Sequence, residues 1–297
     1  MGSVPVMPRL AIFSVEGIAM DTYDLRSWAE FRPLIQNIRD RYGAKTLHNS
    51  DGAPISKENQ ILFRGQSNSE WELKTTLERA TSRRFDVFGY WVTVNHCVNE
   101  LESLTSQRWN LKSFPEVRGE ILAAQNTMIL PMSCYDYLVY LRHHGFPSPL
   151  LDWTESPNIA AYFAYCERVK DADRVVVYAF IETPEGYKTA HGDDAMIKLL
   201  GPHVTTHVRH FAQKGWYTIA TILESGHRVF CPHQDVFISS NPVHNDQDVL
   251  IKITLPAKER PLVLRELNDY NINHFTLYQS EDALVKALAM ETFDLSP

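Results

Sequence analysis

The segment Phe63-Arg64-Gly65 places a charged arginine at the end of an apolar run. A guanidinium at the end of a buried strand needs an anionic or polar partner, because desolvating it alone costs several kcal/mol or more. The partner is either a carboxylate of the protein, in a structural ion pair, or an anionic ligand that accepts two parallel hydrogen bonds. Gly65 would let such a ligand approach the backbone.

A second group of polar side chains lies between His143 and Ser156. Ser156 followed by Pro157 is typical of a helix start, where unpaired backbone N–H groups favour an anion. Asp152 and Thr154 precede that start and either line a ligand site or brace the turn. His143 and Asp152 could also form the dyad of a nucleotide hydrolase, although most such pairs are structural.

Gln213 is the third candidate, directly before a predicted strand. Gly215, two residues later, marks a point where the backbone comes close to another group. A glutamine taken alone is usually a surface residue, so this prediction depends on the other two segments.

The composition excludes several classes of protein. The chain has 297 residues, 44% of them hydrophobic, and a formal net charge of -7, which provides no overall field to attract nucleic acid. The sequence shows no local basic patch. The four cysteines form no CxxC pair, so we expect free thiols rather than a zinc site or disulfides, and we predict no metal. With no apolar run long enough to span a membrane, we expect a soluble, cytoplasmic protein without a membrane partner.

Helical patterns dominate the first half of the chain. Ser27 and Glu30 predict a capping box for a helix ending near Gly43. Helical composition continues over 85–108, interrupted by Gly89, and over 133–145. A last helix is predicted from Ser280.

Predicted strands follow in the second half, after the early strand at 61–64 that carries Arg64. They are rich in β-branched and aromatic residues and lie at 174–181, 215–222, 228–231, 235–239 and 248–256. This order predicts an α+β fold in which a helical N-terminal half packs on a mostly antiparallel sheet. Trp153 is expected in the core, since tryptophans are mostly buried.

Three segments resemble the successive motifs of the FRG domain family, named after its Phe-Arg-Gly signature. They are LFRGQSNSEWELKTTLERA at 62–80, HHGFPSPLLDWTESPNIAAYFA at 143–164 and VRHFAQKGWYT at 208–218. The resemblance implies one FRG-type domain over 21–297 after an N-terminal extension of 1–20. Within it, 224–247 is an insertion without a counterpart.

The chain departs from the family pattern at a few positions. Pro149 stands where the family has an arginine, Tyr278 and Gln279 replace a Phe-Pro pair, and Ala283 replaces a glycine.

The order of the polar residues is also similar to that of ADP-ribosyltransferases. That resemblance implies an ADP-ribosyltransferase-like core that uses NAD. Arg64 would hold the phosphate or ribose of NAD, Thr154 and Ser156 would position the nicotinamide ribose, and Gln213 would take the place of the family's glutamate. The residues implied as catalytic are Arg64, Thr154 and Gln213, and those implied as NAD-binding are Arg64, Gly65, Gln66, His143, Asp152 and Ser156.

Two functions of different class follow. In the first, the chain is an NAD-dependent ADP-ribosyltransferase-like enzyme, a toxin or defence effector that modifies a nucleic acid or a protein. In the second, the same cleft belongs to a non-catalytic module that binds or senses a nucleotide or nucleic acid. Gln213 can hydrogen-bond a hydroxyl but lacks the charge that stabilises a sugar cation, which favours NAD binding over fast transfer.

Overall fold

The structure, a computed structural model, describes residues 20–48, 51–124, 132–184, 195–201, 208–237 and 248–295. Its strands are β1 (Met20–Asp24), β2 (Ala44–His48), β3 (Pro54–Glu58), β4 (Ile61–Gln66), β5 (Leu151–Thr154), β6 (Arg174–Glu182), β7 (Met196–Leu200), β8 (Gly215–Glu224), β9 (His227–Phe230) and β10 (Asp248–Pro256).

The main sheet has the strand order β1-β10-β6-β4-β5-β8-β7, with β9 paired to β8, while β2 and β3 form a separate hairpin. Among the described strands, β1 and β10 run parallel and the other pairs run antiparallel. The combination of helices with a mixed, mostly antiparallel sheet confirms the α+β prediction.

The helices surround this sheet. They are α1 (Phe31–Tyr42), α2 (Thr76–Ala80), α3 (Val87–Asn95), α4 (Val98–Thr105), α5 (Phe114–Ala124), α6 (Met132–His143), α7 (Pro157–Tyr165), α8 (Val208–Ala212), α9 (Arg260–Asp269), α10 (His274–Tyr278) and α11 (Glu281–Ala289). Short 3-10 turns occur at Trp28–Glu30, His233–Phe237 and Ala257–Glu259, and a π-helical turn at Met290–Asp294.

The core lies on both faces of the sheet. Side chains alternate along β6, so that Val177 packs with α1, α7 and α9 on one face, whereas Tyr178 packs with Trp153 on the other. Trp153 is buried, as predicted. A third cluster joins α3 and α6 to β8. All four cysteines are free thiols, as expected.

The helix starts agree only in part with the sequence patterns. Ser156 caps α7 and Ser280 caps α11, as predicted. The capping box at Ser27 is wrong, because the Glu30 carboxylate accepts from the backbone of Arg26 at 2.8 Å and the serine side chain makes no cap bond. At this helix start, the backbone N–H of Trp28 instead donates at 2.6 Å to the carboxylate of Glu259, which is distant in sequence.

Three further predictions need correction. Gly89 does not interrupt a helix but lies in the first turn of α3, where its N–H is bound by the Asp86 cap at 2.8 Å. The predicted strand at 235–239 is a 3-10 turn as far as Phe237, whose burial explains the apolar pattern, and the rest lies outside the described residues. The N-terminal half is not only helical, since it supplies β1 and the central strand β4.

Candidate anion-binding cleft

A cleft of about 960 Å³ opens where β4, β5 and the start of β8 meet the end of α6. A cavity of this size is typical of sites that bind drug-sized or cofactor-sized ligands. Every predicted site residue except Ser156 lines this cleft, namely Arg64, Gly65, Gln66, His143, Asp152, Thr154 and Gln213. The pairing of Phe63 with Thr154 in β4 and β5, and of Thr154 with Gly215 in β8, brings these distant segments together.

Arg64 points its guanidinium toward β5. Its Nη1 donates to the backbone carbonyl of Asp152 at 2.8 Å and lies 3.9 Å from Oδ2 of the same residue. The buried Nε of Arg64 has no hydrogen-bonding partner among the described residues. The contact with the protein therefore leaves part of the guanidinium unsatisfied.

Two further arginines surround the same carboxylate. Arg142, in the last turn of α6, binds Asp152 with two prongs: its Nε lies 3.2 Å from Oδ1, and its Nη2 contacts Oδ2. Burial lowers the pKa of Arg79, and so does the charge of Arg142, whereas Asp152 and Glu78 act in the opposite direction. The Nη1 of Arg79 donates to the Lys74 carbonyl at 3.0 Å. We call Arg64, Arg79 and Arg142 with Asp152 the arginine cluster.

The arginine cluster carries excess positive charge. Burial lowers the pKa of Arg64 to about 10, so the group is still charged at neutral pH. Burial raises the pKa of Asp152, but Arg142 and Arg64 outweigh this and hold it below its ordinary value. Arg64 and Arg142 thus share one carboxylate, and Arg79 adds a third positive charge to the cleft. The cleft as a whole is closer to balance, because Glu70, Glu72 and Glu167 also line it with Lys74 and Arg209.

Thr154 and Ser156 use their hydroxyls within the protein. Thr154 Oγ1 donates to the Gln213 carbonyl at 2.7 Å and accepts from the Ser156 N–H at 3.1 Å. Ser156 Oγ accepts from the Ile159 N–H at 3.3 Å as the cap of α7. Through these contacts the two hydroxyls hold together β5, α7 and the segment before β8.

Gln213 reaches the cleft from the turn between α8 and β8. Its Nε2 donates to the Leu277 carbonyl at 3.1 Å, which ties this turn to α10. The amide therefore lies in the cleft wall with a partner of its own.

His143, the last residue of α6, also lines the cleft. Its Nε2 is 2.7 Å from the hydroxyl of Tyr217, while both carboxylate oxygens of Asp152 face Arg142. This arrangement does not favour a hydrolytic His143–Asp152 dyad.

Gly65 and Gln66 differ in what they contribute. A Cβ on Gly65 would lie 1.9 Å from the Ala160 carbonyl oxygen and 2.5 Å from the Ala164 nitrogen, so the close approach at this glycine is made by α7. Gln66 donates from Nε2 to the Glu72 carbonyl at 3.3 Å, and its buried Oε1 has no partner among the described residues. Gly215 similarly faces a neighbouring side chain, that of His210.

The sequence reasoning missed several residues of the cleft. Arg79 and Arg142 were not predicted, although Arg79 lies inside the first motif and Arg142 directly precedes the second. The aromatic residues of the wall, Trp71, Trp216 and Tyr278, were not predicted as site residues either. The position of these two arginines within or next to a motif is the sequence signal that could have identified them as site residues.

The described residues contain neither a cluster of metal ligands nor a membrane-spanning helix. No group of three or more His, Cys, Asp or Glu side chains there could hold a metal ion. Within the same residues, no helix has the length and apolar character needed to cross a bilayer.

The fold and the cleft define an α+β protein with an arginine-lined cavity. Residues 59–173 match the family model of the FRG domain. The match includes all of the arginine cluster and ends before Gln213, so the wider domain bounds of 21–297 stay a prediction. No curated protein and no solved structure matches the chain, and the resemblance to ADP-ribosyltransferases rests on sequence motifs alone.

Proposed function

We propose that this cleft binds an anionic nucleotide and that the nucleotide is NAD. The observation that carries the proposal is the arginine cluster, in which Arg64 and Arg142 contact the carboxylate of Asp152 and Arg79 lines the same cleft. The positive charge gathered there suits an anionic ligand such as the diphosphate of a dinucleotide. A partly unsatisfied guanidinium such as that of Arg64 supplies charge-assisted hydrogen bonds, the strong kind, to phosphate oxygens.

The aromatic wall supports the same ligand. Trp71 lines the cleft with 45% of its surface exposed, and Trp216 and Tyr278 lie on the wall as well. Exposed aromatic rings beside an anion site can stack on a nucleotide base. The phosphates would contact the arginine cluster and a base would pack on this wall.

Binding has more support than rapid chemistry. The resemblance assigns the nicotinamide ribose to Thr154 and Ser156, but both hydroxyls are engaged with the backbone. Gln213 keeps its amide on the Leu277 carbonyl and offers no negative charge to a developing sugar cation.

ADP-ribosyl transfer is the second candidate. It is favoured by one observation: Arg64, Thr154 and Gln213, which come from three distant segments, line one cavity, as the order of motifs requires. The acceptor would be a nucleic acid or a protein, and the chain would then act as a toxin or defence effector.

Nucleotide binding is tested by thermal unfolding with NAD, ADP-ribose, pyrophosphate and adenosine. At a ligand concentration about 100 times its dissociation constant, stabilisation should reach about 2.7 kcal/mol. We expect NAD and ADP-ribose to stabilise the protein and adenosine, which has no phosphate, to have a much smaller effect. Equal effects of adenosine and ADP-ribose, or none with any of them at millimolar concentration, would reject the proposal.

Catalysis is tested by nicotinamide release from wild type, Gln213→Ala and Gln213→Glu. In a transferase, Gln213→Ala lowers turnover by about 100-fold with little change in binding, and Gln213→Glu raises NAD cleavage because a negative charge faces the sugar cation. In a binding protein, the new carboxylate only repels the phosphates and the Leu277 carbonyl. If none of the three proteins releases nicotinamide while the wild type still binds NAD, the transferase hypothesis is rejected and the binding hypothesis is kept.

A further inference from the structure

A second cavity, of about 940 Å³, lies beside the cleft and is strongly basic. We call it the basic groove. It is formed by the residues after α7, the start of β6, the end of β10 and the start of α9. Six cationic residues and two acidic ones line it, Arg26, Arg168, Lys170, Arg174, Lys258 and Arg260 against Glu167 and Asp173. This concentration of positive charge occurs in a chain whose net charge is -7, and it corrects the expectation that there is no basic patch.

Three of these cations have no ion pair among the described residues. Arg26, Lys170 and Lys258 are exposed at the groove. The remaining three are held by the fold: Arg174 binds the Leu25 and Thr254 carbonyls, while Arg168 and Arg260 share Asp294. The groove therefore combines fixed positive charge with side chains that can adapt to a ligand.

A buried donor without a hydrogen-bonding partner among the described residues also lies in this wall. Arg260 keeps only 9% of its side-chain surface exposed, with its Nε on the Tyr165 carbonyl at 2.8 Å and one Nη2 contact to Asp294 at 2.8 Å. Its Nη1 is buried and has no hydrogen-bonding partner among the described residues. Such a group is costly unless an acceptor satisfies it.

The basic groove adjoins the cleft, because Ser67 and Glu167 line both cavities. A ligand that follows this path meets cations along the groove and then the aromatic wall with Trp71 and Trp216. Proteins that bind single strands combine the same two features, a positive groove for the backbone and aromatic rings for the bases. An acidic peptide would use the cations but not the aromatic wall.

We propose that the basic groove binds the phosphodiester backbone of a single-stranded nucleic acid, with one end of the strand directed at the cleft. Arg26, Lys170 and Lys258 contact successive phosphates, and the guanidinium of Arg260 adds a fixed positive charge in the wall behind them. This inference goes beyond nucleotide binding in the cleft, and binding of the strand is measured in the absence of NAD and ADP-ribose.

The experiment is fluorescence anisotropy with a labelled oligonucleotide of about twelve nucleotides, near the upper range of single-strand site sizes. The test variant is Lys170→Glu with Lys258→Glu. The matched control is Arg39→Glu with Arg118→Glu, which makes the same change in net charge at two exposed positions outside both cavities. Far-UV circular dichroism and urea unfolding check that each variant is folded.

We expect the groove variant to bind the strand at least about tenfold more weakly and the control to bind nearly as wild type. Each lost phosphate contact should also reduce the slope of log affinity against log salt by about 0.7, so the groove variant should differ by about 1.4. Stabilisation by ADP-ribose should be unchanged in the groove variant, which separates this proposal from the one for the cleft.

Three results would overturn the inference. Equal losses in the groove variant and the control would indicate a response to net charge alone. Equal affinity for a duplex of the same sequence would contradict the preference for a single strand. Equally effective competition by polyglutamate would assign the groove to acidic peptides instead.

Discussion

At the scale of single residues, the central question concerns the charge of Arg64. The sequence left open a structural ion pair and an anionic ligand, and the structure shows a protein contact that is incomplete. Arg64 donates a hydrogen bond to the backbone carbonyl of Asp152 and lies 3.9 Å from one oxygen of its carboxylate. Both carboxylate oxygens, in contrast, accept hydrogen bonds from Arg142. The carboxylate of Asp152 therefore forms its structural ion pair mainly with Arg142, and the guanidinium of Arg64 can still bind a ligand.

We expect Arg64→Lys to weaken binding of NAD and ADP-ribose by about tenfold or more while the protein stays folded. Lysine keeps the charge but loses the planar fork that pairs with phosphate oxygens. Isothermal titration and urea unfolding of the variant measure the two effects. The control is Arg39→Lys, the same change at an exposed position of α1.

Unchanged affinity in Arg64→Lys would contradict this assignment. So would an Arg64→Ala variant that fails to fold although no ligand binds to the wild type, because that result is expected of a purely structural ion pair.

At the scale of elements, the contact of β4 with α7 positions the cleft. Gly65 has no side chain, and the Ala160 carbonyl fills the space where a Cβ would lie. Small residues on α7, among them Ala160 and Ala164, are fully buried in this contact. Close packing of the helix on the strand fixes the neighbouring residue, Arg64, against β5.

Gly65→Ala should destabilise the protein by about 3 kcal/mol or more, because the added methyl overpacks a contact that has no room to yield. Gly119→Ala is the matched control, since no atom lies within 4 Å of the added Cβ in α5. That substitution should stabilise the protein by about 0.5–1 kcal/mol through helix propensity. Urea unfolding measures both, and similar values for the two variants would show that the α7 contact is not tight.

At the scale of the whole molecule, a buried polar chain links strands beneath the cleft. Trp153 Nε1 donates to Thr218 Oγ1 at 2.8 Å, and the same oxygen lies 2.8 Å from Nε2 of His233. Burial, reinforced by the charge of Arg64, lowers the pKa of His233 to about 3. His233 is therefore neutral in the folded protein throughout the mildly acidic range.

The stability of the protein should fall as the pH is lowered from 7 to 5. Between about pH 6.5 and pH 3 the unfolded chain binds a proton at His233 that the folded chain does not, so acid favours unfolding. This group alone should cost about 2 kcal/mol at pH 5, from about 1.5 pH units at 1.36 kcal/mol each.

His233→Gln preserves a polar group near Thr218 and cannot titrate. Between pH 7 and pH 5, the free energy of unfolding of this variant should therefore fall by about 2 kcal/mol less than that of the wild type. This difference does not depend on how stable the variant is at pH 7. Urea unfolding at both pH values gives the comparison, in which the other titrating groups largely cancel. Identical pH dependence in the two proteins would show that His233 is accessible to protons in the folded state.

Features that depend on near neighbours along the chain can be read from the amino-acid pattern. Ser156 with Pro157 predicts the start of α7, because a cap acts over three residues. Alternating and β-branched patterns predict β6, β8 and β10, because side-chain alternation is a property of each strand. The FRG motifs at 62–80 and 143–164, which lie within the match at 59–173, and the α+β class follow from the same kind of local information.

Which polar groups meet depends on contacts between segments that are distant in the chain. Thr154 and Gln213 lie in one cleft because β5 pairs with β8, and their contacts turn out to be with backbone groups. The arginine cluster and the basic groove each gather charges from segments far apart in the chain, so neither produces a run of charge in the sequence. Strand pairing and helix packing place such groups, and local patterns carry no information about their partners.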